Sequence, residues 1–158
     1  MSTNRQKSFL ATLSFGQKPV SINPNAYNDV PVWGQSDEGV IDLLYFRCDG
    51  DAYTLYIRSK GDYFGKTINR IGIFFTADLD NSPTKFNIID SDNEIFTLDK
   101  LSDNQAIRLK TRNGEMLKSE FRWADDAERI VLDGRRVVTF NLNILERNVS
   151  YLSTPDEI

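Results

Sequence analysis

The clearest pattern in the chain is an alternation of apolar and polar side chains between Tyr53 and Asn81. Tyr53, Leu55 and Ile57 fall on one side, with Thr54, Tyr56, Arg58 and Lys60 on the other. After a Gly-containing loop, Ile71, Ile73, Phe75 and Ala77 share a side opposite Arg70, Thr76 and Asp78. A period of two predicts half-buried strands, because successive side chains of a strand point to opposite faces. The same alternation predicts a first strand through Phe9, Ala11, Leu13 and Phe15, and a last one through Val138, Phe140, Leu142 and Ile144. The nearly continuous run Val40 to Phe46 predicts a central strand covered on both faces. Residues 19–39, with Pro19, Pro24, Pro31 and Gly34, predict loop with at most a short edge strand, since proline donates nothing to a ladder. Residues 115–129 fit a short amphipathic helix and a strand with loop equally well.

About eight to ten strands at turn-marked spacing predict an all-β domain, a sandwich or a barrel. At 158 residues the chain has the size of one domain, with a core over about 8–147 and flexible tails at 1–7 and 149–158. A net charge of −4, with scattered basic residues, argues against nucleic acid as a partner. No stretch has the length and apolarity of a membrane span. The lone cysteine, Cys48, cannot form an intrachain disulfide and fits an inert core thiol. Histidine is absent, which removes Ser-His-Asp and Cys-His catalysis together with His-ligated metal sites. The expectation is therefore a non-catalytic protein whose oligomeric state and compartment stay open.

The succession DLLYFRCDGDAYTLYIRSKGD, INRIGIFFTADLDNSPTKFNIID, EIFTLDK and RRVVTFNLNILERN, preceded by YNDVPVW, resembles the family-9 carbohydrate-binding modules over residues 27–147. That resemblance implies a jelly-roll-like antiparallel β-sandwich that grips sugars between aromatic faces. It puts Trp33, in the leading segment, and Trp123 among the ligand-binding residues that stack on the sugar, with Asp125 as a hydrogen-bonding neighbour. The other reading of both tryptophans is that each caps the edge of the core, with its N–H bonded to a loop carbonyl. A second resemblance, to the fascin-like β-trefoils, rests on residues 41–64 and 95–117, which align in order as strand, acidic turn and alternating strand. It makes a β-trefoil the alternative fold and a protein-interaction, inhibitor or structural domain the alternative function.

The turn at Asp78, Asp80 and Asn81, near Asp90 and Asp92, offers hard oxygen ligands of the kind calcium takes. Asp and Asn also populate such turns simply by bonding their own backbone. The cofactor expectation is accordingly none, or calcium. Tyr56 and Phe74, on polar faces, are either part of a binding surface or covered by a second layer.

Overall fold

A computed structural model describes residues 3–27, 30–36, 39–121 and 127–149. The fold is all-β, with short 3-10 turns at Arg5–Lys7 and Leu98–Lys100. Four strands come first: β1 (Phe9–Phe15), β2 (Lys18–Tyr27), β3 (Val30–Gln35) and β4 (Leu44–Asp49). Four more follow: β5 (Ala52–Ile57), β6 (Thr67–Ile71), β7 (Phe74–Asp78) and β8 (Phe86–Ile89). After the short β9 (Ile95–Phe96) come β10 (Asn104–Thr111), β11 (Lys118–Phe121), β12 (Glu128–Val131), β13 (Arg136–Val137) and β14 (Phe140–Arg147).

Pairing runs β12-β3-β2-β1-β14-β10-β8-β5-β6-β7, and Val131 opposite Phe74 joins β7 back to β12, closing an antiparallel barrel of 10 strands. Inside that ring β4 pairs with both β1 and β5, through Ala11 opposite Leu44 and Leu44 opposite Ile57. The hairpins β2–β3, β6–β7 and β11–β12 lie beyond this shorter circuit. They meet one another where Arg129 faces Gly34 and Val131 faces Phe74. Gly34 is required there because a Cβ on it would sit 2.8 Å from the Glu128 carbonyl oxygen and 2.9 Å from the Arg129 Cα.

The closed ring overturns the jelly-roll-like β-sandwich, since a sandwich keeps two separate sheets with open edges. The β-trefoil alternative, drawn from the likeness of 41–64 to 95–117, falls with that repeat. Residues 95–100 form the two-residue β9 and a 3-10 turn rather than an equivalent of β4.

Local expectations change as well. β2 and β3 pair as a hairpin, because Val20, Ile22 and Trp33 supply a buried face and Pro24 falls where the ladder register shifts. The strand expected at Val40 starts only at Leu44. Val40 and Ile41 are exposed, and the Asp42 carboxylate accepts the Ile22 backbone N–H at 2.7 Å. Ile71 pairs with Phe74 across a two-residue turn, Gly72 (φ 61°) and Ile73, and both isoleucines are exposed, so the segment read as one strand is a hairpin. Residues 118–121 and 128–131 are strands, not helix. The N-terminal segment is tied down from residue 3: the Asn4 carboxamide accepts the Gly50 N–H at 3.0 Å and Lys7 Nζ donates to the Gly50 carbonyl at 2.7 Å.

The core is aromatic. Phe9 stacks on Phe46 with centroids 4.6 Å apart, and Tyr53 meets both edge-on. Tyr53 also ties elements together, donating to the Lys7 carbonyl at 2.8 Å and accepting the Leu98 N–H at 3.0 Å. Trp33 sits among Phe75, Phe86 and Phe140, with centroids 6.0 to 6.3 Å away.

Candidate functional site

A cleft of about 540 Å³ opens on the outer wall of the barrel beside β4 and β5. It arises from the alternation in these two strands. Leu44, Phe46, Cys48, Tyr53, Leu55 and Ile57 fill the core, which leaves Arg47 and Asp49 pointing outward with Thr54 and Tyr56. The hairpin register sets Arg47 opposite Thr54 and Asp49 opposite Ala52, leaving Gly50 and Asp51 as a two-residue turn. Gly50, at φ 71°, takes the left-handed position that primed hairpin turns need.

The far side of the cleft is the loop from β7 to β8, which supplies Asp80, Asn81, Pro83 and Lys85. Asn69, only 2% exposed, braces this loop at both ends. Its amide donates to the Asp78 carboxylate and its Oδ1 accepts the Thr84 N–H at 3.0 Å. Lys85 Nζ then reaches across to Asp49 Oδ2 and to Thr54 Oγ1, both at 3.4 Å. On the other side Arg47 Nη1 lies 3.4 Å from the Tyr56 hydroxyl. Tyr56 packs against Tyr45, with the Arg58 guanidinium 5.7 Å from its centroid, so only one edge of its ring faces the cleft.

The lining therefore holds two cations, Arg47 and Lys85, and two carboxylates, Asp49 and Asp80, with neutral Asn81, Thr54 and Tyr56 between them. Such a set donates and accepts hydrogen bonds in similar measure. Cys48 lies behind it, buried, its thiol donating to the Gly50 carbonyl at 3.4 Å. Burial pushes that thiol up, which keeps it protonated and a poor nucleophile.

The residues expected from sequence fall in different places. Trp33 is 0% exposed and offers no face to a ligand; its indole N–H has no acceptor among the described residues, where a loop carbonyl was expected. Trp123 and Asp125 lie outside the described residues. Asp78 bonds Asn69, and Asp80 Oδ1 accepts the Ser82 N–H at 2.8 Å, the self-bonding of an Asx turn. Asp90 makes a second such turn, accepting from Asp92 and Glu94. Among the described residues no group of three or more His, Cys, Asp or Glu side chains converges as a metal would need. Asp80 and Asn81 instead border the cleft.

Arg47, Asp49 and Thr54 were within reach of sequence, because the Asp-Gly turn fixes which polar residues pair across the hairpin. Lys85 and Asn69 were not, since only the course of the loop after β7 brings them there. No helix among the described residues is long and apolar enough to cross a membrane. Comparison with protein families, with curated proteins and with solved structures finds no match to this chain.

Proposed function

We propose that the protein is a non-catalytic carbohydrate-binding module and that the cleft beside β4 and β5 holds the sugar. The observation that carries this reading is the interleaving of Arg47 and Lys85 with Asp49, Asp80 and Asn81 around Thr54 and one edge of Tyr56. Each sugar hydroxyl both donates and accepts, so a neutral polyol is matched by a lining that offers both in close alternation. A ligand of one charge sign would leave half of these groups desolvated and unpaired. The volume of about 540 Å³ lies within the range of small-molecule sites. The acidic turn contributes Asp80 and Asn81 as hydrogen-bonding groups, so calcium has no part in this reading. A protein partner is the second reading, favoured by Ile71 and Ile73, which are 45% and 40% exposed at the β6–β7 turn.

The test is a screen of the full chain against an array of soluble glycans, followed by titration calorimetry of each hit. Asp49→Ala and Asn81→Ala are each expected to weaken binding about tenfold, the loss of one or two hydrogen bonds to a polar ligand. Ile73→Ser is expected to leave sugar binding unchanged. A flat array, or hits indifferent to both cleft substitutions, would defeat the proposal.

A further inference from the structure

On another part of the barrel wall, where β1, β14 and β10 run side by side, lies a groove of about 460 Å³. Its floor is set by register. Thr12, Asn143 and Asn104 form one cross-strand row, and Ser14, Asn141 and Ala106 form the next. These positions point outward because Ala11, Leu13, Leu142, Ile144 and Ile107 alternate with them and are buried. Ala106 leaves the second row low at one end, and exposed Ile41 stands at the margin as an apolar wall.

Two properties set this groove apart. Among the described residues no Asp, Glu, Lys or Arg lines it, although 27% of the chain is charged. Among the described residues, the side chains of Thr12, Ser14, Asn104, Asn141 and Asn143 also make no hydrogen bond, so their polar groups stand open to an incoming molecule. Each carboxamide offers two N–H donors and an accepting oxygen, and each hydroxyl donates and accepts. Along a strand these groups repeat about every 7 Å, and across strands about every 5 Å, on a backbone held rigid by the ladder. That is a fixed neutral grid of donors and acceptors. Binding a charged ligand here would strip its hydration with no counter-charge in return, whereas an uncharged hydroxylated chain exchanges water bonds for equivalent ones.

We infer that this groove is a second binding site, specific for an uncharged polyhydroxylated chain such as a neutral oligosaccharide, with Asn104, Asn141 and Asn143 as its principal contacts. The inference does not depend on the β4–β5 cleft, which lies on other strands and carries charged groups. The side-chain NH₂ resonances of the three asparagines report on it directly.

The experiment is a titration of ¹⁵N-labelled full chain with cellohexaose and with maltohexaose, using a hexamer of galacturonate as the charged counterpart. At least one neutral hexamer is expected to move all three asparagine NH₂ pairs saturably. Asn143→Asp, which keeps the shape and adds a charge, is expected to weaken that binding about tenfold. Asn141→Ser, which removes an amide but stays neutral, checks that the effect is not a folding defect: it should weaken binding with unchanged thermal unfolding. The inference is overturned if neither neutral hexamer moves the asparagine pairs, or if the galacturonate hexamer moves them equally. It is also overturned if they move with protein concentration alone, which would mean that a second copy fills the groove. Shifts confined to the backbone around Asp49 and Asn81 would overturn it while supporting the cleft.

Discussion

Replacing Trp33 separates a core role from a ligand-stacking one. The indole is fully buried and touches rings from three other strands, Phe75, Phe86 and Phe140. Trp33→Ala removes all of these contacts and leaves a cavity the closed barrel cannot easily collapse, which costs about 3–5 kcal/mol. In a domain of this size each kcal/mol lowers the melting temperature by about 2–4 °C, so the variant should melt about 6–20 °C lower. Trp33→Phe is the sharper case. The smaller ring loses packing, but it also removes an indole N–H that has no acceptor among the described residues and whose burial costs about 1–3 kcal/mol. The two effects oppose, and the net change should stay below about 1.5 kcal/mol. Urea unfolding gives both numbers, with calorimetry on any glycan hit run in parallel. A Trp33→Ala protein with wild-type stability and no sugar binding would refute the placement of this residue in the core.

Three further outcomes follow from the packing. Gly34→Ala should destabilise by about 1–3 kcal/mol in urea unfolding, because the new methyl meets the backbone of Glu128 and Arg129 at the junction of two hairpins. Tyr53→Phe should cost about 1–3 kcal/mol by the same assay, since it strands the buried Leu98 N–H and frees the Lys7 carbonyl. Asp42 gives a pH signature. Burial raises its folded-state value above the ordinary 3.8, against hydrogen bonds from Ile22 and Ser59 that lower it. The folded state thus binds the proton more tightly than the unfolded state. The stability this adds is full below pH 3.8 and is lost as pH rises through the raised value. Relative to Asp42→Asn, wild-type urea midpoints should therefore fall as pH increases from 3.8 and then level off; a relative rise would contradict the burial of this carboxylate.

The parts of the fold that sequence made legible are those where one face is buried and one is wet. The alternation through Phe9–Phe15 and Phe140–Ile144 identified two barrel strands and their inward faces, whereas in Tyr53–Ile57 it marked the inward residues but Thr54 and Tyr56 opposite them are buried as well. Closure was not legible. It depends on the meetings of Arg129 with Gly34 and of Val131 with Phe74, between strands far apart in the chain, and nothing local to these residues encodes them. Prolines 19 and 24 misdirected the reading of β2, because their position relative to the ladder is a property of the partner strand. The run Val40 to Phe46 misled for a similar reason. Hydrophobicity suggested a buried strand, but the Asp42 bond to Ile22 turns the segment outward and exposes Val40 and Ile41.

The candidate site shows the same division. Arg47 and Asp49 could be paired with the strand opposite from the Asp-Gly turn alone. Trp33 looked like a ligand platform because of the resemblance to sugar-binding modules that stack rings on their ligands. The hairpin it actually occupies points it inward. The acidic turn at Asp78–Asn81 suggested a cation site from its composition alone; the partners its carboxylates take, Asn69 for Asp78 and the turn's own backbone for Asp80, depend on the folded loop.

The most direct measurement is a crystal structure of the full chain grown with the tightest glycan found on the array. Density for a sugar between Arg47 and Asp49 on one side and Asn81 and Lys85 on the other, with hydroxyls bonded to both signs of charge, is the predicted result. A cleft left empty while the sugar sits elsewhere, or crystals that take up no glycan at all, would contradict the account.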